Sequence, residues 1–259
     1  NVIDTADAYA AGESETVIGN CLNDMGVRDE IVVATKFGLP LGSRDPNRTG
    51  YSRRNIIQRC EAALRRLNTD RIDILQTHIW RGERSVEEAA EAFEHLIRQG
   101  KVLYAGLTDM PAWQAANWIY YCKYKGLSPV VSMQHHYNPM WREDEREIVP
   151  LCEDEGVSLV AYSPIGRGFL AGEGRGSRRE DSDDMIGRFY HREADAELRR
   201  TLVAAAGEAG LTPAQLALTW VLDRPHVTAA VVGPTSAAQL PKLIACIDAE
   251  SPLDPAIAA

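Results

Sequence analysis

The chain has 259 residues, of which 45% are apolar, and a formal net charge of −9. That content can fill one large α/β barrel or two smaller domains. The acidic balance argues against a nucleic-acid partner, which needs clustered Lys and Arg to neutralise phosphates; pairs such as Arg53-Arg54 and Arg65-Arg66 alternate with apolar residues and read as a solvated helix face.

Taken in chain order, short apolar runs alternate with longer amphipathic ones. Strands are expected at Val2-Ile3, Ile31 to Thr35, Ile72 to Gln76, Val102 to Leu107, Val130 to Gln134, Ser158 to Tyr162 and Ala229 to Val232. Their near-continuous Val, Ile, Leu and Ala content suits strands covered on both faces of a parallel sheet. Helices are expected at Glu15 to Leu22, Arg54 to Leu67, Glu87 to Arg98, Trp113 to Tyr124, Glu145 to Glu155, Ala194 to Glu208 and Ser236 to Ile247. Gly100, Gly126, Gly156 and Gly210 stand where C-caps belong, and Thr212-Pro213 reads as an N-cap followed by a first helical residue. Gly166 to Arg192 carries dense Gly and charge without an apolar period, and is expected to be a loop covering a cofactor or substrate.

Strand starts recur about every 30 residues, the repeat of a βα unit in a barrel or doubly wound sheet. Seven strands are legible, and the chain opens directly in one of them. The expectation is a single α/β domain over 1–259, a TIM (β/α)8-type barrel lacking its first strand and helix. No run of 18 apolar residues and no signal-like leader are read, so no membrane partner is expected. Cys21, Cys60, Cys122, Cys152 and Cys246 lack C-x-x-C spacing and suit reduced thiols in a cytoplasmic protein.

Four ionisable residues fall at or just past the ends of three successive strands: Asp4, Tyr9, Lys36 and His78. In a parallel α/β fold those ends share one rim, where the chemistry sits. A phenol is a weak acid, ordinarily near pKa 10. An ammonium beside it stabilises the phenolate, a carboxylate keeps that ammonium charged and aimed, and an imidazole can hydrogen-bond a carbonyl oxygen. Singly, each residue has a structural explanation: Asp4 as a helix cap, Lys36 as a surface cation, His78 as a core imidazole. Together they suit a reaction in which oxygen gains or loses a proton while the neighbouring carbon exchanges hydride.

The runs DTADAY, ATKFG, LQTHIW, GKVLYAGLTD, MQHHYN, VAYSPIGRGFLAG and VVGPTSAAQL, in that order along nearly the whole chain, resemble the aldo-keto reductases. HHYNPMWREDEREIVPLCEDEGV and GRGFLAG are most similar to the aryl-alcohol-dehydrogenase-like branch. The resemblance implies a TIM barrel that binds NADP(H) without a Rossmann Gly-rich turn and interconverts a small-molecule carbonyl and its alcohol. It implies Asp4, Tyr9, Lys36 and His78 as catalytic residues, with Tyr9 the general acid. It implies that Gln134 holds the nicotinamide carboxamide, that Tyr162 stacks on the ring, and that Ser163, Pro164, Ile165, Arg167 and Gly168 surround the pyrophosphate. Gly233, Thr235, Ser236 and Gln239 match the adenosine segment.

Two places depart from the family pattern. Thr108-Asp109 stand where relatives carry Ser-Asn for the carboxamide, and Lys242-Leu243 replace the usual Glu-Asn near adenine, so that Lys242 could reach a 2′-phosphate instead. Two other readings stay open: an NADP(H)-binding regulatory homologue, and a metal-dependent hydrolase using Asp4, Asp7, His78, His135 and His136. Trp80, Trp113, Tyr137 and Trp141 are the aromatic candidates for lining a substrate pocket, Trp80 foremost. The identity of the carbonyl substrate and the oligomeric state are left open by the sequence.

Overall fold

The computed structural model describes residues 1–42, 45–80, 86–171, 184–190 and 192–246. The chain divides into two compact units, Asn1–Gln134 with Leu151–Val157, and His135–Pro150 with Ser158–Ala259. In the first unit, strand and helix alternate: β1 (Val2–Asp4), α1 (Glu13–Met25), β2 (Val32–Phe37), α2 (Arg53–Leu67), β3 (Ile72–Thr77), α3 (Val86–Arg98), β4 (Val102–Thr108) and α4 (Ala112–Lys125). β5 (Val130–His136) follows, its last two residues lying in the second unit. Each strand pairs in parallel with the next, in registers such as Val2↔Val32, Ala34↔Ile74, Ile74↔Tyr104 and Leu107↔Met133. Parallel pairing forces each connection to cross over through a helix, which puts all strand C-termini on the same side.

Local signals set the helix limits. Ser52 accepts a hydrogen bond from the Asn55 N–H at the start of α2, and left-handed Gly26, Asn68 and Gly126 end α1, α2 and α4. Between helices and strands lies an apolar core in which Phe37, Phe93 and Trp118 pack ring against ring. α1 crosses α2 so closely at Gly19 that any Cβ there would collide with the backbone of Leu67. At this crossing Arg65 is exposed as expected, but the solvated reading of Arg66 is corrected. Arg66 reaches the fully buried Glu15 at 2.6 Å, and Glu15 also accepts from the Thr35 hydroxyl at 2.6 Å. A buried carboxylate draws in the nearest cation because leaving it unpaired is costly.

The second unit holds β6 (Ser158–Tyr162), α6 (Asp184–Phe189), α7 (Glu193–Glu208), α8 (Pro213–Leu222), β7 (Val227–Val231) and α9 (Leu240–Ile244); α5 (Ile148–Glu155) begins in it. β6 and β7 pair in parallel with Tyr162 opposite Val231. Thr212 and Gln215 form the capping box of α8, with Pro213 in the first turn, where its missing N–H costs nothing. Leu170, Ile186, Tyr190, Leu202, Leu216 and Ala217 share one apolar cluster.

Three expected elements are corrected. α5 starts at Ile148 rather than Glu145, because Pro150 is tolerated only in the first turn; Glu143–Arg146 makes a separate 3-10 turn. α9 starts at Leu240 rather than Ser236 for the same reason, set by Pro241. The expected covering loop, Gly166 to Arg192, contains a 3-10 segment at Gly166–Ala171 and the helix α6, while 172–183 and 191 lie outside the described residues. The seven strands follow chain order in one parallel sheet with intervening helices, the architecture of the TIM-type barrel class expected. Among the described residues no helix is long and apolar enough to cross a membrane.

Candidate active site

In the first unit, Asp4 closes β1, Tyr9 opens the short turn that follows, Lys36 is the penultimate residue of β2, and His78 follows β3. The structure brings all four together. The Lys36 ammonium donates to Asp4 Oδ2 at 2.5 Å, to the Thr5 carbonyl at 2.8 Å and to the Tyr9 hydroxyl at 3.4 Å. Lys36 is only 1% exposed, so it is not a surface cation, whereas Tyr9 is 42% exposed and presents its ring to solvent. The His78 ring stands edge-on to Tyr9, with centroids 5.8 Å apart. Burial, with the nearby Lys36 charge adding to it, pushes the His78 imidazole down to about 4, so it is neutral near pH 7. Its Nδ1 is buried without a hydrogen-bond partner among the described residues.

Two side-chain amides converge on the other oxygen of Asp4. Gln134 Nε2 donates to Oδ1 at 2.9 Å, and Gln76 Nε2 donates at 3.2 Å. In the sequence Gln76 is one of three polar residues of the strand IDILQT, with Asp73 and Thr77, and nothing there sets it apart. Thr108, at the end of β4, is buried and its hydroxyl has no partner among the described residues. Asp109 follows with a left-handed φ of 46°, its N–H donating to the Gln134 carbonyl.

In the second unit, Tyr162 ends β6 and stacks on His136 at 5.1 Å, and His136 stacks in turn on Trp141 at 5.1 Å. His136 pairs with the Tyr190 hydroxyl at 2.6 Å, and burial pushes its imidazole down to about 4. After Tyr162, the chain takes left-handed conformations at Ser163, Gly166, Arg167 and Gly168, around Pro164 and Ile165. Within this run the Gly166 N–H donates to the Ser163 carbonyl and the Gly168 N–H to the Ile165 carbonyl. Gly233, Thr235, Ser236 and Gln239 are exposed, and the Thr235 N–H and hydroxyl both donate to Gln239 Oε1.

Four of the five residues of the metal reading are engaged otherwise, each within its own unit. Asp4 faces Lys36, Asp7 pairs with Arg59 at 3.1 Å, His135 pairs with Asp144 at 3.2 Å, and His136 lies in the aromatic stack. Among the described residues no group of His, Cys, Asp and Glu could hold a metal ion. The aromatic candidates divide. Trp80 is buried and stacked on Tyr51 at 4.7 Å, and Tyr137 is fully buried, so both belong to the core and not to a rim. Trp113 is exposed on α4, and Trp141 half-buried.

Comparison with known proteins bears on what this arrangement belongs to. The sequence model of the Aldo/keto reductase family matches residues 1–256. The chain is 34% identical over 241 residues to norsolorinic acid reductase B of Dothistroma septosporum, a match covering 90% of this chain and 61% of that protein. It is 34% identical over 244 residues to versiconal hemiacetal acetate reductase of Aspergillus parasiticus, covering 86% and 71%. A putative voltage-gated potassium channel subunit beta of Schizosaccharomyces pombe is 31% identical over 268 residues, covering 99% and 78%. The chain thus spans about three fifths of the first relative and about three quarters of the other two. With a family match over residues 1–256, the chain belongs to the aldo/keto reductase family.

Proposed function

We propose that residues 1–259 form a single oxidoreductase domain, cytoplasmic, that interconverts a small-molecule aldehyde or ketone and its alcohol with NADP(H). The observation that carries this reading is the Lys36 ammonium, held between the carboxylate of Asp4 and the hydroxyl of the exposed Tyr9. NADPH, when bound, supplies the hydride. Tyr9 protonates the carbonyl oxygen as it gains negative charge. Lys36 stabilises the phenolate left behind, and Asp4 keeps Lys36 charged and aimed. The neutral imidazole of His78 can donate an N–H to the same oxygen, fixing the carbonyl beside Tyr9.

The cofactor assignment is supported residue by residue. The buried Thr108 hydroxyl lacks a partner among the described residues, which suits a group reserved for a carboxamide, with Gln134 and Asp109 beside it on the backbone. In the second unit, the Tyr162 ring suits the nicotinamide face, and the loop of Ser163, Pro164, Ile165, Arg167 and Gly168 would surround the pyrophosphate, with the Arg167 guanidinium pairing with its oxygens. Gly233, Thr235, Ser236 and Gln239 would meet the adenosine, and exposed Lys242 a 2′-phosphate.

The test is Tyr9→Phe, which should lose turnover over an aldehyde and ketone panel while still quenching or shifting Trp fluorescence on NADPH addition. Wild-type turnover in Tyr9→Phe would rule the assignment out. The relative named as a channel subunit favours a second reading, an NADP(H)-binding regulatory protein. NADPH binding with no turnover on the whole panel would select it.

A further inference from the structure

We propose that Gln76 is a positioning residue for the acid group: it holds Asp4 Oδ1 so that Oδ2 stays on Lys36, and does so independently of Gln134. The proposal rests on the reading of Tyr9 as proton donor.

Asp4 carries two oxygens with about four lone-pair sites between them. Oδ2 takes the Lys36 ammonium at 2.5 Å, and Oδ1 takes Gln134 at 2.9 Å and Gln76 at 3.2 Å. An ionised carboxylate only accepts, so both glutamines must turn their NH2 groups toward it. Gln134 is also the residue matched to the cofactor carboxamide, so its amide answers to two partners. Among the described residues the Gln76 side chain bonds to Asp4 alone. It lies in the register position next to Lys36 on β2 and next to Gly106 on β4, with its side chain buried.

Gly106 is the second observation. A Cβ built there would lie 2.9 Å from Gln76 Cγ and 2.9 Å from Ser132 Oγ. The strand therefore gives up a side chain where the Gln76 stem passes. A buried polar side chain costs free energy unless its hydrogen bonds are made, and the bond made here is to Asp4. Without Gln76, whenever Gln134 turned to another partner, Asp4 could rotate about χ2 and carry Oδ2 away from Lys36.

Gln76→Met keeps the length and removes the donor; Gln76→Glu keeps the shape and removes it only while ionised. Gln76→Met should lower kcat about 10- to 100-fold, the scale of a small misplacement at a reacting group. Its NADPH dissociation constant, read by fluorescence titration, should stay within about twofold of wild type. Gln76→Glu should be weakest at pH 8 and recover as the solution is acidified, because a protonated carboxyl donates to Asp4 again; its deficit in kcat should shrink at least about fivefold by pH 5.5. A thermal melt identifies any variant that does not fold, and if Gln76→Met fails there, the pH profile of Gln76→Glu decides. The proposal is overturned if both variants turn over like wild type while Tyr9→Phe is inactive. It is equally overturned if Gln76→Met loosens NADPH about tenfold with kcat intact, or if the Gln76→Glu profile runs parallel to wild type. Wild-type turnover in Tyr9→Phe would remove the parent reading, and this one with it.

Discussion

Lys36 Nζ lies 2.5 Å from Asp4 Oδ2, joining adjacent strands β1 and β2 through a pair of charges almost wholly shut off from water. Two such charges are tolerable only together: each one's lost hydration is offset by the other and by added hydrogen bonds. Thr5 and Tyr9 complete the shell around Lys36, and Gln76 and Gln134 that around Asp4. The same contacts that make the pair stable make it a fixed electrostatic tool beside an exposed phenol.

Lys36→Met should therefore fail in two ways. Removing one partner leaves a buried carboxylate, at a cost of about 3–5 kcal/mol. Removing the cation beside Tyr9 should also lower kcat by about 10²- to 10⁴-fold. Urea unfolding and steady-state kinetics on the same preparation read both. Lys36→Arg should not restore turnover, because a planar guanidinium cannot occupy the point that the ammonium fills between Asp4, Thr5 and Tyr9.

Much of this unit was legible in the sequence for simple reasons. Strands buried on both faces announce themselves as apolar runs, and acid-base residues stand at their ends: Asp4, Lys36 and His78 are each met there. What the sequence does not carry is direction. Trp80 stands two places after His78, and strict alternation along a strand would give both the same face. Ile79 breaks that alternation with a left-handed φ of 60°, and Trp80 turns into the core against Tyr51 and Trp118. Arg66 is misjudged similarly, since helical spacing marks it as polar but not that Glu15 waits buried on the neighbouring helix. Gln76 is a different case, one of three polar residues in its strand, whose partner lies 72 residues away.

The His78 imidazole should leave a mark on stability. Its pKa falls from the ordinary 6.5 to about 4 in the fold, chiefly through burial. The unfolded chain therefore takes up a proton first as pH drops. The stability that goes with a neutral ring is complete above about 6.5 and is lost as pH falls from there to about 4. At 1.36 kcal/mol per pKa unit the loss is about 3 kcal/mol. His78→Gln should flatten that part of the curve of urea midpoint against pH. An unchanged slope would mean that His78 is not held neutral.

Arg66 and Glu15 offer a test of how α1 is fastened to α2. Arg66→Met should destabilise by about 3 kcal/mol, because among the described residues the Glu15 carboxylate then keeps only the Thr35 hydroxyl. Adding Glu15→Gln should recover part of that loss, since a neutral amide is less costly to bury unpaired than a carboxylate. The coupling from the double-mutant cycle should be about 1–3 kcal/mol, as for residues in direct contact. Additive effects would show that the pair is incidental.

Thr108 poses the sharpest opposition between folding and binding. Its hydroxyl is buried at the end of β4 without a partner among the described residues, and its backbone N–H is already satisfied by the Thr77 hydroxyl. Thr108→Val keeps the branched shape and deletes only the unsatisfied oxygen. In the absence of cofactor the variant should be more stable by about 1 kcal/mol, the lower end of what an unmet buried polar group costs. If that oxygen is kept for the carboxamide, the same change should weaken NADPH binding by about 5- to 10-fold, the worth of one neutral hydrogen bond. Calorimetric melting without cofactor and fluorescence titration with NADPH measure the two effects separately. A variant that melts higher and binds NADPH as tightly as wild type would show that the hydroxyl serves nothing at this site.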